Sequence, residues 1–286
     1  MTKSENFRAY IAATIVVCIW SGWITISRFG VQTSLSPFDI TLLRFATASI
    51  ITLPFSLRYN WSAVNWKEIL IIALGCGFPY TIFSFIGLQS IKAANAGVLV
   101  NGMLPVFGLL FILFWFKEKV SVLKLSAIVI LLFANLLMMN WQSNFNNTYL
   151  LGIGLLISAS FVFSSYLAGI KKWGYTMKDV IAFVPIVNLL LFLPFWLYFP
   201  SKINEAPIND ILIQAIYQGL IVSVFALLLV TYAVGKLGSA TMSVFLSYVP
   251  AVTAILAFLF LGEVLSSFEK IGILMCSIGL IIYAKG

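Results

Sequence analysis

The chain has 286 residues, of which 62% are hydrophobic and only 9% are charged. Soluble domains carry about 25% charged residues, so this composition excludes an ordinary soluble domain and indicates a chain surrounded mainly by lipid. It contains no histidine, the commonest general base and metal ligand, and a membrane topology explains the net charge of +8 better than a nucleic-acid partner does.

Ten apolar segments follow one another along the chain, and each is long enough to span a bilayer, which takes roughly 20 residues. Short breaks containing Pro, Asn, Lys or Arg separate them. The sequence therefore predicts an all-α integral membrane protein with ten transmembrane helices and no separate soluble domain. The predicted spans cover about residues 8–27, 38–57, 68–90, 93–116, 121–140, 149–169, 179–199, 210–233, 239–261 and 266–284.

The distribution of Lys and Arg predicts the orientation. With a cytoplasmic N-terminus, twelve of the 17 basic residues fall on the inside, four fall on the outside, and Arg44 lies within a span. The positive-inside rule then places both termini in the cytoplasm, and we expect a multi-pass protein of the bacterial inner membrane. The first apolar run is too long for a signal-peptide core, so we expect it to be retained as a helix.

One pair of residues recurs in the second half of the chain. Pro105 and Glu118 flank the end of the fourth span, and Pro250 and Glu263 flank the end of the ninth with the same spacing. Together with the five-plus-five hydropathy pattern, this recurrence predicts an internal duplication.

The duplication divides the chain into five-helix repeats at residues 1–143 and 144–286. Because five is an odd number, the second repeat must enter the membrane from the opposite side. Inverted repeats of this kind underlie alternating access in secondary transporters. We therefore expect two inverted repeats around a central cavity.

Four short motifs occur in a fixed order along the chain. They are Ile19-Trp20-Ser21-Gly22-Trp23 in the first span, Leu43-Arg44-Phe45 in the second, Pro105 to Glu118 at the end of the fourth, and Pro250 to Glu263 at the end of the ninth. In order, spacing and full-length coverage they resemble the EamA-type ten-helix carriers of the drug/metabolite transporter superfamily. The chain departs from that pattern at Lys117, where glycine is frequent, and in the sixth span, which lacks the usual tryptophan.

The resemblance implies a basket of ten helices in which the third, fourth, eighth and ninth line the cavity and the first and sixth close it. Members of the family mostly move amino acids and related metabolites, often outward. We therefore expect a secondary transporter for small neutral or zwitterionic metabolites, with export as the expected direction. Its partners would be a small-molecule substrate and the lipid bilayer, and we expect a functional monomer without nucleic acid, cofactor or metal.

Polar and aromatic side chains inside the spans are the candidates for substrate binding. Trp20 lies past the middle of its span, which makes a purely interfacial anchor a poor explanation. Asn101 is a lone amide that needs a partner, and Ser243 and Ser247 share one helix face, where close helix packing is the alternative role. The candidates are Trp20, Tyr80, Ser84, Asn101, Tyr217, Ser243, Ser247 and Tyr248.

Arg44 is the basic side chain that lies clearly inside a span. A charge there costs roughly 2.5–3.5 kcal/mol on insertion scales, so it is a functional candidate by default. Three roles stay open: Arg44 reaches the outer surface, pairs with Asp39, or contacts the substrate directly.

A second group of residues is predicted to act in gating or structure. Gly75, Gly77 and Pro79 predict an interruption of the third span. Pro105 and Pro250 predict interruptions of the fourth and ninth, because proline removes a helix hydrogen bond. The matching places of these two prolines in the two repeats favour hinges, with static curvature as the alternative. The two glutamates at helix ends favour caps or hairpin contacts, and the absence of mid-span carboxylates argues against proton coupling and against organic-cation substrates. This group comprises Trp23, Asp39, Arg44, Pro105, Glu118, Pro250 and Glu263.

Two other classes of protein stay open. A membrane-embedded enzyme needs a nucleophile and a base, and the sequence lacks a Gly-x-Ser-x-Gly motif, a histidine and a mid-span pair of aspartates. A non-transporting accessory subunit would leave the duplication unexplained. Solute flux in reconstituted vesicles would separate a transporter from both.

The first prediction concerns topology. Reporter fusions placed after Lys285 and within residues 144–148 should report opposite sides of the membrane, with the C-terminal fusion in the cytoplasm, because basic residues concentrate on that side. Activity of the C-terminal fusion on the outer side would contradict the orientation.

Overall fold

The computed structural model describes residues 3–138, 146–237 and 239–285, and the regular structure in those ranges is helical. The first half contains α1 (Lys3–Gly30), α2 (Pro37–Leu57), α3 (Trp66–Gly75 and Phe78–Ser90, after a short 3₁₀ turn at Trp61–Ala63), α4 (Ala93–Phe111, continued by the π-helical turn Ile112–Phe116) and α5 (Val122–Met138). The second half contains α6 (Asn147–Trp173), α7 (Met177–Tyr198), α8 (Ile208–Gln214, the π-helical Ala215–Phe225 and Ala226–Leu237), α9 (Ser239–Leu246 and Val249–Leu261) and α10 (Ser267–Lys285).

Among the described residues, nine helices are long and apolar enough to cross a membrane, and α5 is an apolar helix of 17 residues. Large apolar side chains face outward along these helices, for example Phe114, Leu197 and Phe260. Water would disfavour so much exposed apolar surface, whereas lipid covers it at no cost. The protein is therefore a multi-pass membrane protein. The last predicted residues of the fifth span and the predicted repeat boundary at 143/144 lie outside the described residues.

The packing contacts of the helices are similar when each helix is replaced by its counterpart in the other half of the chain. The corresponding helices α2 and α7 pack on each other, as do α4 and α9, and α5 and α10. Helix α1 packs on α8 and α9, and its counterpart α6 packs on α3 and α4. The two halves thus enclose the space between them with matching sets of helices.

Helices α2 and α7 begin with the same local device, a capping box. Asp39 and Ser36 exchange side-chain and backbone hydrogen bonds, and Asp179 and Thr176 do the same. Asp39 also accepts hydrogen bonds from Trp196 Nε1 at 2.9 Å and from Ser201 Oγ at 2.6 Å. Its carboxylate is therefore fully engaged at the start of α2.

Helix α3 is interrupted at Cys76 and Gly77, which confirms the interruption predicted from its glycines and proline. Asn188 of α7 fills the break: its Nδ2 donates to the Ala73 carbonyl at 2.9 Å, and its Oδ1 accepts from the Phe78 N–H at 2.9 Å. A Cβ on Gly77 would lie 1.8 Å from Asn188 Oδ1, so only glycine allows this approach.

Helix α4 runs through Pro105 without a break, so the interruption predicted there is wrong. Two serines of the neighbouring helix α6 bind carbonyls that precede this proline. Ser160 Oγ donates to the Val100 carbonyl at 2.9 Å, and Ser164 Oγ donates to the Leu104 carbonyl at 3.2 Å. Pro105 removes the helical donor for the Asn101 carbonyl, and neither serine binds that group, so these two bonds join α6 to α4 without replacing the hydrogen bond that is lost.

Helix α9 differs from α4 at the corresponding place. It breaks at Ser247 and Tyr248, and Pro250 stands in the first turn of the second segment. A proline is tolerated there because a first-turn N–H has no helical acceptor. The interruption predicted for α9 is confirmed, and the two corresponding helices therefore have different conformations.

The second prediction concerns Asn188. Replacing it with the similarly sized Leu leaves the Phe78 N–H and the Ala73 carbonyl buried without partners, at about 1–3 kcal/mol for each group. We expect a clearly lower thermal unfolding midpoint for purified Asn188→Leu. The matched control is Asn209→Leu at an exposed position of α8, which should leave the midpoint unchanged. Equal midpoints for both variants would contradict the role given to Asn188.

Candidate functional site

A cavity of about 140 Å³ lies between the two halves of the bundle. A cavity of about 150 Å³ in another protein binds benzene, so this one holds a group of roughly that size. Its wall is mainly apolar and aromatic. The first half contributes Trp20, Trp23, Arg44, Phe45, Cys76, Tyr80 and Asn101, and the second half contributes Phe163, Tyr166, Val184, Ser223, Leu227 and Val249, among others.

The aromatic part of the wall is matched between the halves. Counted back from the ends of α1 and α6, Trp20 corresponds to Phe163 and Trp23 corresponds to Tyr166, and all four side chains line the cavity. Helix α6 lacks a tryptophan at these positions but still supplies rings. The sequence candidates omit Phe163 and Tyr166, which alignment of the two helix ends would have identified.

Trp23 is held on both its ring face and its nitrogen. Its ring stacks on Tyr80 with centroids 5.4 Å apart, and Tyr80 in turn contacts Phe163 at 4.9 Å. The indole Nε1 donates to Gln218 Oε1 at 2.8 Å. Trp23 is therefore a fixed part of the cavity wall.

Gln218, in the π-helical part of α8, joins three helices inside the bundle. Its Oε1 accepts from Trp23 of α1 and from Arg44 Nη1 of α2, the latter at 3.2 Å. Its Nε2 donates to Ser27 Oγ at 3.0 Å and to Gln214 Oε1 at 3.2 Å.

Arg44 is buried beside the cavity, and its guanidinium points into the bundle. The guanidinium carbon lies 5.9 Å from the centre of the Trp23 ring and 5.8 Å from that of Phe45. Nη1 donates to Gln218, while Nε is buried with no partner in the described part of the chain. The pairing with Asp39 considered from the sequence is wrong, because Asp39 bonds to the capping and loop groups given above.

Three other sequence candidates have different surroundings. Asn101 lines the cavity, and its Nδ2 donates to the Gly97 carbonyl at 2.8 Å. Ser84 is buried away from the described cavity wall. Tyr217 donates its hydroxyl proton to the Ile19 carbonyl at 3.0 Å and joins α8 to α1 outside the cavity wall.

The candidates on α9 lie in the half of that helix nearer its start. Ser247 is buried and donates to the Val244 carbonyl at 2.6 Å, whereas Ser243 and Tyr248 are exposed. None of these three belongs to the cavity wall as described. Substrate contact by them stays a prediction.

A mostly buried ion pair closes the end of the bundle predicted to face outward. Arg28 Nε lies 3.1 Å from Glu263 Oε1, and the two side chains are only 14% and 10% exposed. Arg28 also donates to the last carbonyls of α3, at Leu88 and Gln89, while Glu263 accepts from the Ala93 N–H at the start of α4 at 2.8 Å. A cation at a helix C-terminus and an anion at an N-terminus are both favourable. This outer ion pair thus joins α1, α3, α4 and the end of α9.

The corresponding residues of the other half form a second ion pair at the opposite end. Lys171 of α6 corresponds to Arg28, and its Nζ lies 3.2 Å from Glu118 Oε1. These side chains are 59% and 51% exposed, and Lys171 also lies over the Phe116 ring. Neither contacts the end of α8 or the start of α9 in the described residues. Within the described residues, this inner ion pair therefore makes no hydrogen bond to a helix end like those of the outer one.

Another carboxylate, that of Glu269, is buried at the same outer end. Glu269 accepts from the Ser266 N–H at 2.7 Å at the start of α10 and lies 3.5 Å from Lys92 Nζ. Like Asp39, it serves a helix start rather than the middle of a span.

The two ends of the bundle also differ in helix packing. Helix α1 packs on α3 and α4, whereas α6 makes no comparable contact with α8 or α9 in the described chain. Residues 93–100 of α4 are buried throughout, while the corresponding residues 241–248 of α9 are largely half-buried or exposed. The predicted outer end is the more tightly closed of the two.

Comparison with known proteins identifies the family. The model of the EamA-like transporter family matches the chain twice, at residues 7–140 and 150–284. An uncharacterized transporter of Archaeoglobus fulgidus is 25% identical over 279 residues, which cover 93% of this chain and 94% of the relative. YdfC of Bacillus subtilis, also named an uncharacterized transporter, is 26% identical over 288 residues, which cover 94% of this chain and 89% of the relative.

A solved crystal structure supports the same fold. It shares 18% identity with this chain at a TM-score of 0.66 and covers 99% of this chain and 98% of its own. The two family matches account for the recurring proline and glutamate residues as copies of one ancestral unit. The protein is therefore a multi-pass membrane protein with two repeats that belongs to the EamA-like transporter family.

Proposed function

We propose that this protein moves small neutral or zwitterionic metabolites, with amino acids or related compounds as the expected class, across the bacterial inner membrane by alternating access. Export is the expected direction. The observation that carries the proposal is an aromatic-lined cavity between two repeats, combined with one tightly closed and one loosely packed end.

The size and chemistry of the cavity support this class of substrate. A volume near 140 Å³ suits one apolar or aromatic group. The described wall contains no carboxylate, and a carrier for organic cations commonly has one within the membrane. A compact metabolite with an apolar side chain fits this wall better than an organic cation does.

The repeated packing pattern supports alternating access. The helix contacts match when the halves are exchanged, and a repeat of five helices must be inverted relative to its copy. Corresponding helices nevertheless differ, since α4 is continuous at Pro105 and α9 is broken before Pro250. If the two halves exchange conformations, we expect α4 to be broken and α9 to be continuous in the opposite state.

The two ion pairs fit the same exchange. In this conformation the outer pair is buried and bound to the ends of α3 and α4. In the opposite conformation we expect the outer pair to open and the inner pair, Lys171 with Glu118, to become buried against the connection between α8 and α9. Breaking a buried pair costs about 3–5 kcal/mol, whereas an exposed pair contributes about 0–1 kcal/mol. The outer pair should therefore dominate the stability of the present state.

The third prediction compares the two ion pairs. Arg28→Gln should open the outer end, because it leaves Glu263 without its buried partner. The readout is labelling of Ser223→Cys in the cavity by a membrane-impermeant maleimide from outside, with the three native cysteines replaced. Labelling should become several-fold faster with Arg28→Gln and should change little with the matched control Lys171→Gln.

The double variant Arg28→Glu with Glu263→Arg restores an ion pair with the charges exchanged. Its labelling rate should therefore fall part of the way back to that of the protein with the native ion pair. Unchanged labelling in Arg28→Gln, or an equal increase in Lys171→Gln, would contradict the gating role of the outer ion pair.

The fourth prediction concerns coupling. Asp39 and Glu269 cap the starts of helices, and Glu263 pairs with Arg28, so these carboxylates are already engaged. Among the described residues, no carboxylate lies in the middle of a span, where it could carry a proton. Net flux of radiolabelled L-phenylalanine or L-leucine into proteoliposomes should therefore continue when a protonophore and an ionophore collapse both gradients. Without the protonophore, a trapped pH-sensitive dye should show no proton movement as the substrate enters. Flux that stops in the first experiment, or a substrate-dependent pH change in the second, would contradict the prediction.

A further inference from the structure

We infer that Arg44 is an anchor for the carboxylate of the substrate, so that the cavity selects metabolites with an acid group and an apolar body over the corresponding amides and amines. This inference rests on the proposed function and refines its substrate class: among zwitterionic compounds it favours those with a free carboxylate, and it extends the class to simple carboxylate anions.

The guanidinium of Arg44 has donors that the protein does not use. Arginine presents five N–H donors and is always charged. In the described chain Arg44 takes part in none of the three ion pairs, its Nε is buried without a partner, and its one hydrogen bond is to the neutral amide of Gln218. Buried cations are normally paired with an anion. A charge left without a counter-ion beside a cavity indicates that the ligand supplies it.

The guanidinium is held in one position. Nη1 is fixed by Gln218, which is itself held by Ser27 and Gln214, and the rings of Trp23 and Phe45 flank the charge. A fixed planar fork suits a carboxylate, which can accept two parallel hydrogen bonds from it.

The remaining wall defines the rest of the ligand. Trp20, Phe163 and Tyr166 present aromatic surface, which suits an apolar body. An ammonium group next to the carboxylate could lie against an aromatic face. An amine without an acid group would face the positive charge of Arg44 with no carboxylate in the described wall to offset it. Acids and zwitterions are therefore favoured, and simple amines are disfavoured.

A purely structural role for Arg44 makes a different prediction. If Arg44 only joins α2 to α8 through Gln218, its loss lowers stability but leaves the choice among ligands unchanged. Ligand selectivity therefore separates an anchor from a structural link.

The test measures the thermal midpoint of the purified full-length protein with matched ligands. One series is L-phenylalanine, 3-phenylpropionate, phenylalaninamide and phenethylamine, and a second series uses the leucine side chain in the same four forms. A ligand that binds the folded state raises the midpoint by mass action. We expect the acids to stabilise in at least one series and the amide and the amine not to do so.

Variants test the residue itself. Arg44→Gln should weaken acid binding by about 10-fold or more, because it removes a buried charged partner of the carboxylate, while Arg44→Lys should keep part of the binding. The matched control is Arg58→Gln, at the exposed end of the same helix, and it should bind like the unmodified protein. If Arg44→Gln does not fold, the acid-against-amide comparison on the unmodified protein decides alone.

The proposal is overturned if the acids stabilise no better than the amides and amines, or if folded Arg44→Gln binds acids as tightly as the unmodified protein. Counterflow in proteoliposomes keeps the two proposals apart. Transport of an amide or amine as fast as the matching acid would contradict the role of Arg44 as an anchor and would support the transport function. Acid binding without counterflow of any ligand supports the anchor and contradicts the transport function.

Discussion

Inside a bilayer a polar group has no water to bind, so each buried polar group needs a partner within the protein. This constraint accounts for the irregular places in the bundle. Asn188 serves the backbone groups at the break in α3, and Ser160 and Ser164 bind carbonyls beside the proline of α4. Gln218 uses both ends of its amide between α1 and α2. Several buried polar atoms of the described residues lack a partner, and Arg44 Nε is the one among them that belongs to a charged group. Arg44 also lines the cavity, where a ligand could supply the missing counter-ion.

Because the chain contains two copies of one unit, each structural feature can be compared with its counterpart in the other copy. Arg28 and Lys171 hold corresponding positions, and each pairs with the glutamate that follows α9 or α4. One pair is buried on helix ends and the other is exposed. If the protein works by alternating access as proposed, this difference belongs to the present conformation and is reversed in the opposite one. The same reasoning applies to α4 and α9 and connects the fold with a carrier whose two ends open in turn.

Local sequence was sufficient to predict the helices, because apolar runs of about 20 residues have few other structures available in a membrane. It also located the break in α3, where the glycines act locally. It failed where a distant helix decides the outcome. Pro105 stands inside the continuous helix α4, where serines of α6 bind nearby carbonyls. Arg44 bonds to Gln218 of α8, while Asp39 caps its own helix. The cavity wall was predicted only in part, since the direction in which Tyr217 points depends on tertiary packing.

The central claim is that the two ends of the bundle open in opposition. Double electron–electron resonance can measure both ends, with spin labels at positions 32 and 89 on the outer side and at positions 172 and 234 on the inner side, in a background without the native cysteines. The account predicts that breaking the outer ion pair with Arg28→Gln lengthens the outer distance and shortens the inner one. Distances that lengthen or shorten together, or that ignore the substitution, would contradict it.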